Sequence, residues 1–151
     1  MKKMMALGLA VVMAMATLTG CGSSDSGKKT AKVVEIDLTS EEYAFGVDKT
    51  QPELLDAVND FIKEIKENGK LDEICNNYFG DGTPVAVTSG TYDANKDQLV
   101  VATNAAFEPF EYMEGENYLG IDMEIAAALA EKLGKELVIQ NMDFDSVCLS
   151  V

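Results

Sequence analysis

Residues 97–144, DQLVVATNAAFEPFEYMEGENYLGIDMEIAAALAEKLGKELVIQNMDF, carry the fold of this chain in one continuous pattern. Leu99-Val100-Val101-Ala102 is a short apolar run of strand type. It discharges into Thr103–Tyr112, a loop crowded with aromatics, a proline and carboxylates. Glu111-Tyr112-Met113 and Asn117-Tyr118-Leu119, around Glu114-Gly115-Glu116, predict a small hairpin inside that loop. Asp122 is the expected cap of a helix running through Lys132, with Ile125, Ala126, Leu129 and Leu133 as its apolar face and Gly134 as its end. Leu137-Val138-Ile139 is the next strand. Strand, helix and strand at this spacing make a β-α-β unit whose strands are parallel and joined by a crossover. The connection from Asn104 to Gly120 is long for such a unit, and long loops at the carboxyl ends of parallel strands are where open α/β sheets bind ligands.

Upstream, Thr50-Gln51-Pro52-Glu53 reads as a helix start, with Thr50 as cap, Glu53 as its capping-box partner and Pro52 in the first turn. Leu54, Leu55, Val58, Phe61, Ile62 and Ile65 recur on one face, and Asn68-Gly69 supplies a stop. A second amphipathic turn turns Leu71, Ile74, Cys75, Tyr78 and Phe79 inward and ends at Gly80. Two short strand candidates precede these helices: Val33–Leu38, and Tyr43–Val47, which is expected to lie beside Leu99–Ala102. The organisation expected is 1–20 a leader, 21–32 a flexible tether, 33–82 a strand-helix-helix segment, 83–97 a linker, and 98–151 the β-α-β part.

Composition narrows the chemistry. The 151 residues carry 26 acids against 12 lysines, a formal charge of −14, with neither arginine nor histidine. That balance disfavours nucleic acid and bare anionic membrane as partners. The missing histidine removes the usual catalytic base and zinc ligand, which leaves no triad, no His-built metal site and no expected cofactor. Met1-Lys2-Lys3, the apolar run Met4–Leu18 and the small residues before Cys21 form a secretion signal, too short for a comfortable membrane span. Leu18-Thr19-Gly20-Cys21 resembles the lipobox of bacterial lipoproteins, in which Cys21 would be the acylated residue. Cys75 and Cys148 are expected to be small buried hydrophobes, with a pairing left open.

From Asp97 to about Val147 the sequence resembles the amino-terminal part of family 3 solute-binding proteins, the amino-acid receptors of ABC importers. The strand, the T-N-A-A-F-x-P-F-E-Y loop, the G-I-D turn into a helix and the strand ending in N-M-D-F occur in the family's order. EEYAFGVDKTQPELLDAVNDFIKEIKENGKLDEICNNYFGDG, residues 41–82, is similar to that family's carboxyl-terminal end, so tail precedes head. The resemblance implies an α/β fold with a small, mostly parallel sheet and flanking helices, a partial lobe of the two-lobed Venus-flytrap architecture, truncated before its second lobe. It also requires helix 51–67 and helix 122–133 to share one core. By position it makes Asn104 a polar ligand contact, and Phe107 and Phe144 aromatic walls. Phe110 and Tyr112 would pack inside the lobe, and Glu111 has no assigned role. Family members hold the ligand α-carboxylate with an arginine, which this chain does not contain.

The function so implied is capture of an amino acid at the outer face of a bacterial cytoplasmic membrane. The receptor would be a lipid-anchored monomer that delivers its ligand to permease subunits. Two alternatives stand beside it. An exported dehydratase-like enzyme on the same fold would need a positioned acid or base, for which Glu111, Asp143 and Asp145 are the candidates. A sensor or structural surface lipoprotein would need no transport partner.

Overall fold

The computed structural model describes Lys32, Glu35, Ile36 and residues 41–151. It divides into two units, Met1–Glu42 and Tyr43–Val151. In the first unit the described residues are exposed and belong to no helix or strand. The leader, Cys21, the tether up to Ala31 and most of the Val33–Leu38 strand candidate lie outside the described residues.

The second unit holds every regular element: α1 (Pro52–Glu67), α2 (Lys70–Phe79), β1 (Gln98–Thr103), β2 (Ala106–Phe107), β3 (Glu111–Glu114), β4 (Asn117–Leu119), α3 (Ile121–Leu133), β5 (Glu136–Asn141) and α4 (Phe144–Val147). β1 and β5 pair in parallel, Gln98 opposite Glu136 through Thr103 opposite Asn141. β2, β3 and β4 make a separate antiparallel sheet, with Tyr112 opposite both Ala106 and Leu119. The expected β-α-β unit and hairpin are therefore present, and the hairpin gains one more short strand at Ala106–Phe107.

One hydrophobic core joins the two halves of the sequence. Val58, Phe61 and Ile65 of α1 and Ile74 of α2 cluster with Leu99, Ile125, Leu129, Leu137 and Ile139. Ile74 and Met123 are each only 1% exposed, and full burial of side chains this size contributes about 1.5–3 kcal/mol apiece. The shared core expected of helices 51–67 and 122–133 is thus observed, and Lys132 closes it on the outside by a 2.5 Å ion pair to Glu64. Gly134, in the left-handed region at φ 67°, ends α3 where a helix must turn off its axis.

Residues 81–97 contain no helix or named strand, yet they are fastened to the body. Val87 is buried and exchanges two backbone hydrogen bonds with Tyr118, at 2.8 and 3.0 Å. Farther on, the Gly90 amide donates to the Leu137 carbonyl at 2.8 Å and the Ile139 amide to Ser89 Oγ at 2.8 Å. The segment thereby covers the free edge of β5, whose Leu137, Val138 and Ile139 are all buried.

Several local expectations are corrected. Tyr43–Val47 forms no strand; Tyr43 stacks on Phe110 at 4.7 Å, which directs the chain to the hairpin rather than to the edge of β1. Thr50 does not cap α1. Its amide and hydroxyl both bond Asp48 Oδ1, at 2.7 and 2.9 Å, and the N-cap position falls to Gln51 without a side-chain bond. Asp122 is likewise no cap, because the N-cap position falls two residues earlier, at Gly120, and leaves Asp122 inside the first turn. Leu55 and Phe79 point outward, 43% and 67% exposed, on the rims of otherwise inward faces. Cys75 and Cys148 are free thiols: Cys75 is half-buried, but Cys148 is exposed just past α4. Burial, then the Asp72 carboxylate, push the Cys75 thiol up.

Candidate functional site

The carboxyl ends of β1 and β5 lie side by side, and a short net of bonds locks the loops that leave them. The Met142 amide donates to the Thr103 carbonyl at 2.9 Å, and the Ala105 amide to Asn141 Oδ1 at 3.0 Å. Asn104 Nδ2 donates to the Met142 carbonyl at 2.9 Å, while the Ala106 amide folds back on the Asn104 carbonyl at 2.7 Å. Asn104 therefore anchors the loop, and its carboxamide oxygen accepts no bond among the described residues.

Beside it opens a hollow of about 450 Å³ lined by Asn104, Asn141, Met142, Asp143 and Ser146. Phe107 and Phe144 are outside that lining, yet both stand in solvent, 53% and 77% exposed. Neither is consumed by the core. Phe107 is one of three rings gathered on Phe110. It lies 5.5 Å from Phe110 at an interplanar angle of 15°, Tyr43 also stacks on Phe110, at 4.7 Å, and Phe79 meets Phe110 edge-on at 6.5 Å. Phe110 and Tyr112 are half-buried, as expected of lobe packing.

The loop is held from below as well. The amides of Ile121 and Asp122 donate to the carbonyls of Pro109 and Phe110, at 3.1 and 2.9 Å. Gly120 makes this close approach possible: its φ is 127°, and a Cβ there would run into the Phe110 carbonyl. The Gly120 amide donates to the Tyr78 hydroxyl at 2.9 Å, and that hydroxyl donates onward to Glu124 Oε1 at 2.7 Å. Glu124, 8% exposed, also receives Asn77 Nδ2 at 3.1 Å and the Val85 amide at 2.9 Å. Burial, then the bond to Glu124, push the Tyr78 hydroxyl far up, so it remains a donor.

Charge is one-sided here. No lysine occurs between Asp97 and Glu131 or after Lys135. Glu111 is pushed up to about 7, first by burial and then by Asp122, and burial alone pushes Asp122 up to about 6. The sequence pattern gave no sign of Asn141, Met142 and Ser146 as lining residues, although a polar residue at the carboxyl end of a parallel strand was the available signal. The Glu124–Tyr78 hub was invisible too, because its members lie far apart in the chain.

The chain spans less than a quarter of the length of the curated relatives it matches. It is 47% identical over 55 residues to the arginine-binding extracellular protein ArtP of Bacillus subtilis (strain 168), an overlap covering 36% of this chain and 22% of that one. It is 36% identical over 61 residues to the probable ABC transporter arginine-binding protein ArtJ of Chlamydia trachomatis serovar D, covering 39% of this chain and 23% of the relative. No solved structure matches. The family model described as bacterial extracellular solute-binding proteins, family 3, matches residues 5–81 and 99–151, on either side of the segment that edges β5. With most of its length inside that match and the exposed loop on the strand ends, the chain belongs to the family 3 extracellular solute-binding proteins of bacteria.

Proposed function

We propose that this chain captures a cationic amino acid outside the cell for an ABC importer, and that residues 98–151 form one wall of the binding cleft. The observation that carries this reading is the loop after β1, which presents an outward Phe107 three residues after Asn104, a lining residue of the hollow. An aromatic face attracts a guanidinium or ammonium by about 0.5–2 kcal/mol, and the lysine-free surroundings add to that preference. Both relatives carry arginine-binding names. The α-carboxylate is another matter: a bidentate clamp needs a guanidinium, and these residues have none. Binding by the 151 residues alone is therefore weak, and a second wall that bears an arginine would complete the site.

The family match and the shared core support reading residues 33–82 and 98–151 as two segments of one lobe, with 83–97 joining them. A lipid anchor on Cys21 would hold the receptor at the outer membrane face, where it would meet permease subunits as a monomer. Phe144, first residue of α4, is proposed as the second aromatic contact. Among the enzyme candidates, Glu111, its proton affinity raised by burial, does not line the hollow, and Asp143, which does, has neither histidine nor lysine beside it in the lining to work as an acid–base partner, so binding without chemistry is the favoured role.

Amide NMR of the chain during titration with L-arginine and with L-glutamate tests this. Arginine at millimolar levels is expected to move the signals of Asn104, Phe107 and Asn141, and glutamate to leave them still. Equal responses to both, or micromolar affinity for any amino acid measured by calorimetry, would overturn the half-site reading.

A further inference from the structure

The last two residues of α2 meet the loop after β1 by two separate routes, although they lie far upstream of it in the chain. Tyr78 works from below. Its hydroxyl accepts the Gly120 amide at 2.9 Å and is oriented by donating to Glu124 Oε1 at 2.7 Å. The next two amides after Gly120, those of Ile121 and Asp122, donate to the carbonyls of Pro109 and Phe110, and the Phe110 amide donates to the Phe107 carbonyl at 2.9 Å. Every link of this route is a hydrogen bond or a stretch of backbone. Phe79 works from the side. Its ring meets Phe110 edge-on at 6.5 Å, and Phe107 stacks on that same ring at 5.5 Å. Phe79 is 67% exposed, so core burial does not account for its placement. Both routes converge on Phe110, and Phe110 carries Phe107.

We propose that Tyr78 and Phe79 are positioning residues for ligand capture, holding Phe110 from two directions so that the Phe107 face is set before a ligand arrives. A ligand that meets a preset wall loses no binding free energy to ordering the loop. The Tyr78 hydroxyl suits this task, because it accepts one backbone donor and gives its proton to a buried carboxylate, an arrangement with a single favourable orientation. Asn77, the residue before it, donates to the same carboxylate at 3.1 Å and fixes the end of α2 a second time. The inference rests on the capture reading for its ligand, but the set of Phe107 is a property of the free chain.

Residual dipolar couplings of the Ala106 and Phe107 amides read orientation rather than ring currents, and with the arginine titration they test the proposal in three variants of the full chain. Tyr78→Phe keeps the ring and removes the hydroxyl. Phe79→Leu keeps apolar bulk and removes the aromatic edge. Val58→Ala trims the buried face of α1, which belongs to neither route. Tyr78→Phe and Phe79→Leu are each expected to change the couplings of the free chain and to weaken arginine binding about two- to tenfold. Phe79→Leu should do so with its denaturation midpoint unmoved. Val58→Ala should lower the midpoint and leave the couplings and affinity of the folded chain as they were, which is how a merely structural residue behaves. Unchanged couplings or unchanged affinity in either α2 variant, or an equal loss of affinity in Val58→Ala, would overturn the proposal. Should arginine move no signal in the parent chain, the capture reading fails on its own, and the couplings of the free chain still decide whether α2 sets Phe107. If Tyr78→Phe does not fold, Phe79→Leu alone decides.

Discussion

At the scale of single residues, exposure separates what a side chain does for the fold from what it does for a ligand. Phe107 is 53% exposed and rests on Phe110, so trimming it leaves the core intact. Phe107→Ala is expected to change unfolding free energy by about 0.5 kcal/mol or less, while abolishing the arginine-induced shifts at Asn104 and Asn141. Denaturant melts and the same NMR titration check the two halves of that statement. Gly120 is the opposite case. Its positive φ and the Phe110 carbonyl in its Cβ position make Gly120→Ala costly by more than about 1 kcal/mol, read as a lowered denaturation midpoint with an unchanged slope. The Thr103–Tyr112 loop could be recognised because aromatics rarely crowd a strand exit without reason. The family resemblance singles out Asn104, but its bond to Met142 as the loop's own anchor was not readable, since hydrogen bonds across elements leave no local pattern.

At the scale of elements, periodicity carried the helices and turn chemistry misplaced their starts. The α1 stripe Val58, Phe61, Ile65 is buried as the spacing requires, and Pro52 takes the first turn. The capping box failed because Asp48 lies two residues before Thr50 and takes both of its donors. Tyr43–Val47 looked strand-like because β-propensity registers aromatic and branched residues, whereas the structure uses Tyr43 as a ring partner for the hairpin. Glu124 shows how an element can be fixed by one buried carboxylate: it gathers α2, α3 and the segment at Val85. Glu124→Ala strands those donors and should cost about 2–4 kcal/mol, whereas Tyr78→Phe, losing one hydroxyl, should cost about 1–2 kcal/mol. A double-mutant cycle in urea is expected to give strong non-additivity, since both substitutions break the same chain of bonds to Gly120. Additive losses would mean that the two residues act independently.

At the scale of the whole molecule, a single core draws on residues more than sixty positions apart, which is why the strand-helix-helix and β-α-β halves stand or fall together. The same scale governs the response to pH. Glu111 and Asp122 bind protons more tightly folded than unfolded, at about 7 and about 6 against ordinary values of 4.5 and 3.8. Between the unfolded and folded values the native state holds more protons, so stability falls as pH rises through that window. The penalty is absent below about pH 4 and complete above about pH 7. Burial is its first cause for both groups, and the half-exposed position of Glu111 screens its share, leaving on the order of 1–3 kcal/mol for the pair. The formal charge of −14 pushes in the same direction, because self-repulsion also eases as carboxylates protonate. The isosteric double variant Glu111→Gln/Asp122→Asn separates the two causes. If the pair governs the slope, thermal melts of the variant will be flatter than those of the parent chain between about pH 5 and pH 8, and its melting temperature at pH 8 will be higher. If diffuse repulsion governs it, the slope will persist in the variant, because the remaining acids still titrate together.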